Sequence, residues 1–75
     1  MNITIYSVDN CNPCIQLKKY LNEKGVDYIE KSVKGNQTLK DELIRVSGQS
    51  RVPVTIIDGT VIRGFNKIAI NKHLT

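Results

Sequence analysis

The chain contains no tryptophan, one methionine, one phenylalanine and one histidine among its 75 residues. With three tyrosines and Phe65 as its whole aromatic complement, it lacks the stacking platform on which single-stranded nucleic acids are held. No apolar run approaches the roughly 18 residues of a membrane span. Met1 leads almost directly into Asn2-Ile3-Thr4-Ile5-Tyr6, with no basic start and no apolar leader core. The expectation is a cytoplasmic, monomeric chain that binds neither membrane nor nucleic acid. Cysteine is scarce too: Cys11 and Cys14 are the only two. Closing a loop of about four residues would stabilise the fold by about 2 kcal/mol, against about 4.7 for a loop of 100. A lone staple is poorly placed there, so the pair points to redox or metal chemistry rather than to scaffolding.

Charge of one sign is not in great excess. Eleven Lys and Arg face seven Asp and Glu, for a net +4. The basic residues are scattered and interleaved with acids, as at Glu23-Lys24, Glu30-Lys31 and Lys40-Asp41-Glu42. This is a solvated surface, whose net charge can steer the protein toward acidic partners. His73 lies near the end of a helix, where a cation suits the dipole, and has no evident base partner in the sequence. Met1 and Tyr20 read as core or near-core residues.

No linker, repeat or low-complexity stretch divides residues 1–75, which read as one domain. Ile3 and Ile5 alternate with Thr4 and Tyr6, a strand pattern. A helix is expected from Asn12 to Lys24, with Leu17 and Leu21 on one face and Gly25 as its stop. Val26 to Val33 reads as a second strand. After Gly35-Asn36, Leu39, Leu43 and Val46 mark a second amphipathic helix, ended by Ser47-Gly48. Val54 to Ile57 is a β-branched run, Asp58-Gly59 a two-residue hairpin turn, and Thr60 to Arg63 its partner strand. Asn66 is placed to cap a last helix from Lys67 to His73. The order is β-α-β-α-β-β-α, an α/β fold with a four-stranded mixed sheet and helices on both faces. The crossover rule predicts strands one, two and three parallel, with the last antiparallel at an edge.

Cys11-Asn12-Pro13-Cys14 falls between the first strand and the first helix. A Cys-x-x-Cys pair alone also occurs in metal sites; one at this place in a βαβ pattern signals redox chemistry. The attacking species in disulfide exchange is a thiolate, and a free cysteine has a pKa of about 8.5. A helix N-terminus offers unpaired N–H groups and about half a positive charge. Cys11 at the cap position can accept from those groups. Pro13 lacks an N–H but is tolerated in the first turn. Cys11 is therefore expected to be the nucleophile, and Cys14, one turn further in, the buried resolving thiol. Lys18, one turn beyond Cys14, reads as a solvated lysine with the capacity to favour a thiolate.

Two more segments stand out. In Arg51-Val52-Pro53-Val54 the proline either simply opens an edge strand or follows a cis bond, which would let the Val52 backbone pair with an extended substrate. Gly64-Phe65-Asn66 reads as a turn with Phe65 in the core; its functional reading is a surface that a partner backbone approaches closely.

Together Ile3-Thr4-Ile5-Tyr6, Cys11-Asn12-Pro13-Cys14, Val52-Pro53-Val54, Ile57-Asp58-Gly59 and Gly64-Phe65 resemble the glutaredoxin branch of the thioredoxin superfamily, over essentially the whole chain. Short bacterial glutaredoxins and the NrdH-redoxins are the nearest in kind. The resemblance implies a minimal thioredoxin-like fold, disulfide reductase activity with no bound cofactor, and a cis Pro53 beside the cysteines. It implies substrate contacts at Arg51, Val52, Pro53, Gly64 and Phe65. It implies glutathione or thioredoxin reductase as external reductant, and disulfide-containing clients such as ribonucleotide reductase. Three features depart from the glutathione-dependent pattern. Asn12-Pro13 stands where classical members resemble Pro-Tyr. Asp9 and Asn10 stand where those members carry a basic residue. Arg51 replaces the threonine before Val-Pro, and Gly64-Phe65-Asn66-Lys67 replaces a Gly-Gly followed by an acid. Arg51 and Lys67 are the residues available for glutathione carboxylates.

Two binding-module readings compete. A soft-metal carrier also holds its ion with two cysteines before a helix, but it has no use for Pro53 or for a helix over residues 36–47. An iron–sulfur form would use Cys11 as a cluster ligand at a dimer interface; Cys14 and Pro13 argue against it.

Overall fold

The computed structural model describes residues 1–74. Its elements are β1 (Ile3–Ser7), α1 (Asn12–Glu23), β2 (Ile29–Ser32), α2 (Gln37–Ser47), β3 (Val54–Ile57), β4 (Thr60–Arg63) and α3 (Lys67–Leu74). The strands form one sheet in the order β2-β1-β3-β4.

Each helix begins where its sequence says it should, and α1 and α2 stop at their glycines, Gly25 and Gly48. Cys11 caps α1. At its far end Gly25 N–H donates to the Asn22 carbonyl and Val26 N–H to that of Leu21, the paired bonds of a Schellman ending. Asn36 Oδ1 caps α2 by accepting from Leu39 N–H at 3.0 Å. Asn66 Oδ1 does the same for Ala69 N–H in α3 at 3.1 Å. Asp58 and Gly59 both have positive φ, 48° and 87°, which is the two-residue turn that matches strand twist.

Period-two alternation splits the core between the two faces of the sheet. Ile3, Ile5, Ile57 and Ile62 turn toward α1 and α3, where they meet Leu17, Leu21 and Ile70. Tyr6 and Val54 turn the other way, toward α2, and meet Leu43 and Val33. Thr55 is fully buried and its Oγ1 has no hydrogen-bond partner; such an orphaned hydroxyl costs about 1–3 kcal/mol.

Three expectations are corrected. β1 and β2 are parallel, but β3 runs antiparallel to β1, with Tyr6 opposite Val54 and Ile3 opposite Ile57. The cause is the length of the return path. β2 ends beside the end of β1, with Ser7 opposite Ser32. The eleven residues of α2 span about 16 Å, and the six residues 48–53, bent at 48–50 and at 52, can reach at most about 20 Å, enough to undo that advance. The chain comes back to the end of the sheet it left, so β3 must run backwards. Second, β2 covers only Ile29–Ser32. Its pairing with β1 begins at Thr4 opposite Ile29; in that register residues 26 and 27 fall opposite Met1 and Asn2, before β1 begins, and Tyr28 falls opposite its first residue, Ile3, outside the paired stretch. Third, Met1 is exposed, whereas Tyr20 packs against the core as expected.

Tyr6 anchors α2 to the sheet. Its hydroxyl donates to Glu42 Oε2 at 2.5 Å, and Lys31 Nζ donates to the same oxygen at 2.8 Å. Burial, followed by the carboxylate beside it, pushes the phenol up from 10.0 to about 12. Because the folded value lies above the unfolded one, this contribution to stability is complete below pH 10 and is lost as pH rises toward 12.

Candidate active site

The sheet register gathers the sequence-predicted segments at one end. β1 finishes at Ser7, and the loop 8–10 carries the chain to Cys11. Tyr6 pairs with Val54, so Pro53 lies at the same end, next to the outlet of β1. Val54 pairs with Arg63, and Gly64 N–H donates to the Pro53 carbonyl at 2.8 Å. Val8 and Val52 pack onto the same apolar cluster on the α2 face, which holds the cysteine loop and the proline segment together.

Within this setting Cys11 and Cys14 are joined in a disulfide, with Cα atoms 5.2 Å apart. Cys11 takes the extended backbone of a cap residue, φ −110° and ψ 105°. Its Sγ accepts the Cys14 N–H at 3.2 Å, and its carbonyl accepts Ile15 N–H at 3.0 Å. Asn12 and Pro13 occupy the exposed first turn of α1. The two sulfurs differ in access: Cys11 is half-buried, whereas Cys14 is fully buried on the helix face that carries Leu17 and Leu21. A helix N-terminus aimed at Cys11 favours a thiolate there when the pair is reduced.

The Val52–Pro53 peptide is cis, and Pro53 is buried while Arg51 is exposed. Gly64 has φ +76°, a left-handed conformation at which any side chain would be strained. Phe65 is half-buried, its ring set edge-on to Tyr20 with centroids 6.1 Å apart. Lys67 Nζ lies over both rings, 5.6 Å from the Tyr20 centroid and 5.7 Å from that of Phe65. Phe65 is thus at the margin of the core, next to the turn at Gly64.

Sequence reasoning missed two features of the site. Asn10 has φ +57°; the signal was its residue type, since asparagine tolerates this region better than other side chains. The second is an ion pair one helical turn beyond Cys14. Lys18 Nζ and Ser7 Oγ both donate to Glu30 Oε2 at 2.8 Å. Lys18 was visible in the sequence, but its partner required the pairing of Ile5 with Glu30. Among the described residues no group of three or more His, Cys, Asp or Glu side chains is arranged to hold a metal ion.

Comparison with known proteins agrees with this geometry. The glutaredoxin family model matches residues 3–62. The chain belongs to the glutaredoxin family. It is 41% identical over 70 residues to a glutaredoxin-like 8.6 kDa protein from the rubredoxin operon of Clostridium pasteurianum, covering 93% of each chain. It is 36% identical over 67 residues to glutaredoxin 3 of Escherichia coli, covering 89% of this chain and 81% of that one. Among solved structures it is similar to the glutaredoxin-like NrdH-redoxin of Escherichia coli, with a TM-score of 0.83 and 29% identity over 96% of this chain and 93% of that one. Its activity is accordingly thiol–disulfide oxidoreduction, and its redox partners are disulfide-bearing molecules. No helix among the described residues is long and apolar enough to cross a membrane.

Proposed function

We propose that this glutaredoxin-family chain is a dithiol reductase of protein disulfides, with Cys11 as nucleophile and Cys14 as resolving thiol. The observation that carries the assignment is the unequal access of the two sulfurs at one helix N-terminus: Cys11 half-buried and accepting a backbone N–H, Cys14 fully buried. The Cys11 thiolate attacks one sulfur of a client disulfide. That bond breaks, a mixed disulfide forms, and the other client sulfur leaves as a thiolate. The Cys14 thiolate then attacks Cys11 Sγ, the second client thiol departs, and the Cys11–Cys14 disulfide closes. The client gains two electrons and the protein loses two. No bound cofactor takes part. Val52, Pro53, Gly64 and Phe65 form the surface against which an extended client segment lies, with Arg51 at its rim.

An external reductant restores the dithiol, and thioredoxin reductase is favoured over glutathione. Asp9 and Asn10 precede Cys11 where a glutathione site carries a basic residue, and Lys67 follows Gly64-Phe65-Asn66 where such a site carries an acid. A thioredoxin-like activity profile is described for the similar NrdH-redoxin of Escherichia coli. On this reading ribonucleotide reductase is a candidate client. The test is a coupled assay on one disulfide substrate, comparing NADPH plus thioredoxin reductase with glutathione plus glutathione reductase. Faster turnover by the first route is expected. Faster turnover with glutathione would reverse the choice of reductant, and turnover by neither would remove the reductase reading.

A further inference from the structure

One helical turn beyond Cys14, three polar side chains from three elements meet on the α1 face of the sheet. Ser7, the last residue of β1, is fully buried and donates its hydroxyl to Glu30 on β2; Lys18 on α1 donates to the same carboxylate oxygen. None of them takes part in the exchange of bonds described above. Two relations tie them to the dithiol. Lys18 follows Cys14 by four residues in one helix, so the two side chains are neighbours on one face, with Cβ atoms about 5–6 Å apart. Helical side chains also lean toward the N-terminus, which carries the Lys18 stem back toward Cys14. Ser7 meanwhile closes the strand that feeds the cysteine loop, and its carbonyl accepts Val33 N–H at 2.9 Å.

The chemistry of resolution makes this position matter. Cys14 must become a thiolate to attack Cys11, yet it is buried, and burial disfavours the charged form. A cation one turn away offsets that. We infer that Lys18, held by Glu30 through the Ser7 clamp, is a positioning residue that promotes the resolving attack by Cys14, and that Glu30 limits how strongly it does so. The inference rests on the reading of Cys14 as the resolving thiol.

Both charges persist across the range in which thiols titrate. Hydrogen bonds from Lys18 and then Ser7 hold the Glu30 carboxyl below its ordinary value. The hydrogen bond to Glu30 raises the Lys18 ammonium against a lowering by burial, and Tyr28 and Asp9 act in the raising sense; Lys19 and Glu23 line the same groove. The two side chains keep 30% and 37% of their exposure, and they line an open groove of about 650 Å³ between α1 and the β2 edge. Water therefore screens the field, and the expected effects are modest, about threefold in thiolate fraction rather than orders of magnitude.

The decisive property is sign. Lys18→Met removes the cation one turn from Cys14 and leaves the Glu30 anion on the same face of the sheet without it. Glu30→Gln removes the anion and leaves the cation uncompensated. The test titrates Cys14 by thiolate absorbance in a Cys11→Ser background, where it is the only thiol, with circular dichroism to verify folding. Lys18→Met should lower the Cys14 thiolate fraction at neutral pH by about threefold, and Glu30→Gln should raise it by a similar factor. The double variant should return near the parent, and Lys18→Arg should preserve the parent value. Single variants that shift Cys14 in the same direction, or not at all, overturn the inference, since a merely structural clamp gives no sign inversion. A failure of the underlying reading shows elsewhere, as multiple turnover by the Cys14→Ser protein, which does not depend on this titration.

Discussion

The Cys14→Ser protein is expected to stop after half a cycle and to accumulate as a covalent adduct with its client. With Cys11 half-buried at the start of α1 and Cys14 fully buried behind it, the first attack proceeds in this variant and the second has no thiolate to carry it. Steady-state reduction of a protein disulfide should fall at least a hundredfold, roughly 3 kcal/mol at about 1.4 kcal/mol per tenfold. A band that disappears on adding dithiol should appear on non-reducing gels. Cys11→Ser should lose turnover to the same degree but form no adduct, because Cys14 lies out of reach of a macromolecular disulfide. The pair of outcomes is more telling than either alone. A dithiol with interchangeable sulfurs would give adducts from both variants, and a metal-binding pair would give none from either.

The second large effect concerns the helix beneath the cysteines. Leu17 is fully buried between α1 and the sheet, in the cluster with Ile3, Ile5, Leu21, Ile57, Ile62 and Ile70. Leu17→Ala removes three carbons from a site that close-packed neighbours refill only in part, and such changes cost about 2–5 kcal/mol. A domain of this size has about 4–11 kcal/mol in total, from about 0.05–0.15 kcal/mol per residue. At about 4–8 °C per kcal/mol for a domain of this length, the melting temperature should drop by roughly 8–40 °C. Ile68→Ala is the control. Ile68 sits on α3 with 74% of its surface exposed, and its truncation should change stability by about 0.5 kcal/mol or less. Thermal melts of the two variants beside the parent measure this directly. Equal shifts would show that the two-sided division of apolar residues does not describe the core.

Much of this was legible in the sequence, for reasons that are local. Asn36 and Asn66 announce their helices because a short side chain must satisfy the first N–H groups. Asp58-Gly59 announces its hairpin because both residues must adopt positive φ. The Cys11–Cys14 pair, its cap geometry and the difference in access follow from placing the motif at a helix start. The cis Val52–Pro53 bond came from family resemblance; proline alone left the isomer open. What failed was non-local. The direction of β3 depends on where the segment 48–53 returns the chain, which no periodicity encodes. Val26 and Asp27 fall within the expected strand yet lie opposite Met1 and Asn2, before β1 begins. Ser7, Lys18 and Glu30 are far apart in sequence and meet only through the sheet register and the turn of α1. Tyr6, Lys31 and Glu42 escaped for the same reason on the opposite face.

The central claim is that Cys11, held at the N-terminus of α1, is the reactive sulfur. Its most direct measurement is the pH dependence of iodoacetamide alkylation of the fully reduced protein, with the modified cysteine mapped by mass spectrometry. Cys11 should be alkylated first and selectively, with a midpoint well below the free-cysteine value of about 8.5. Alkylation of Cys14 first, or of both at equal rates with a midpoint near about 8.5, would contradict it.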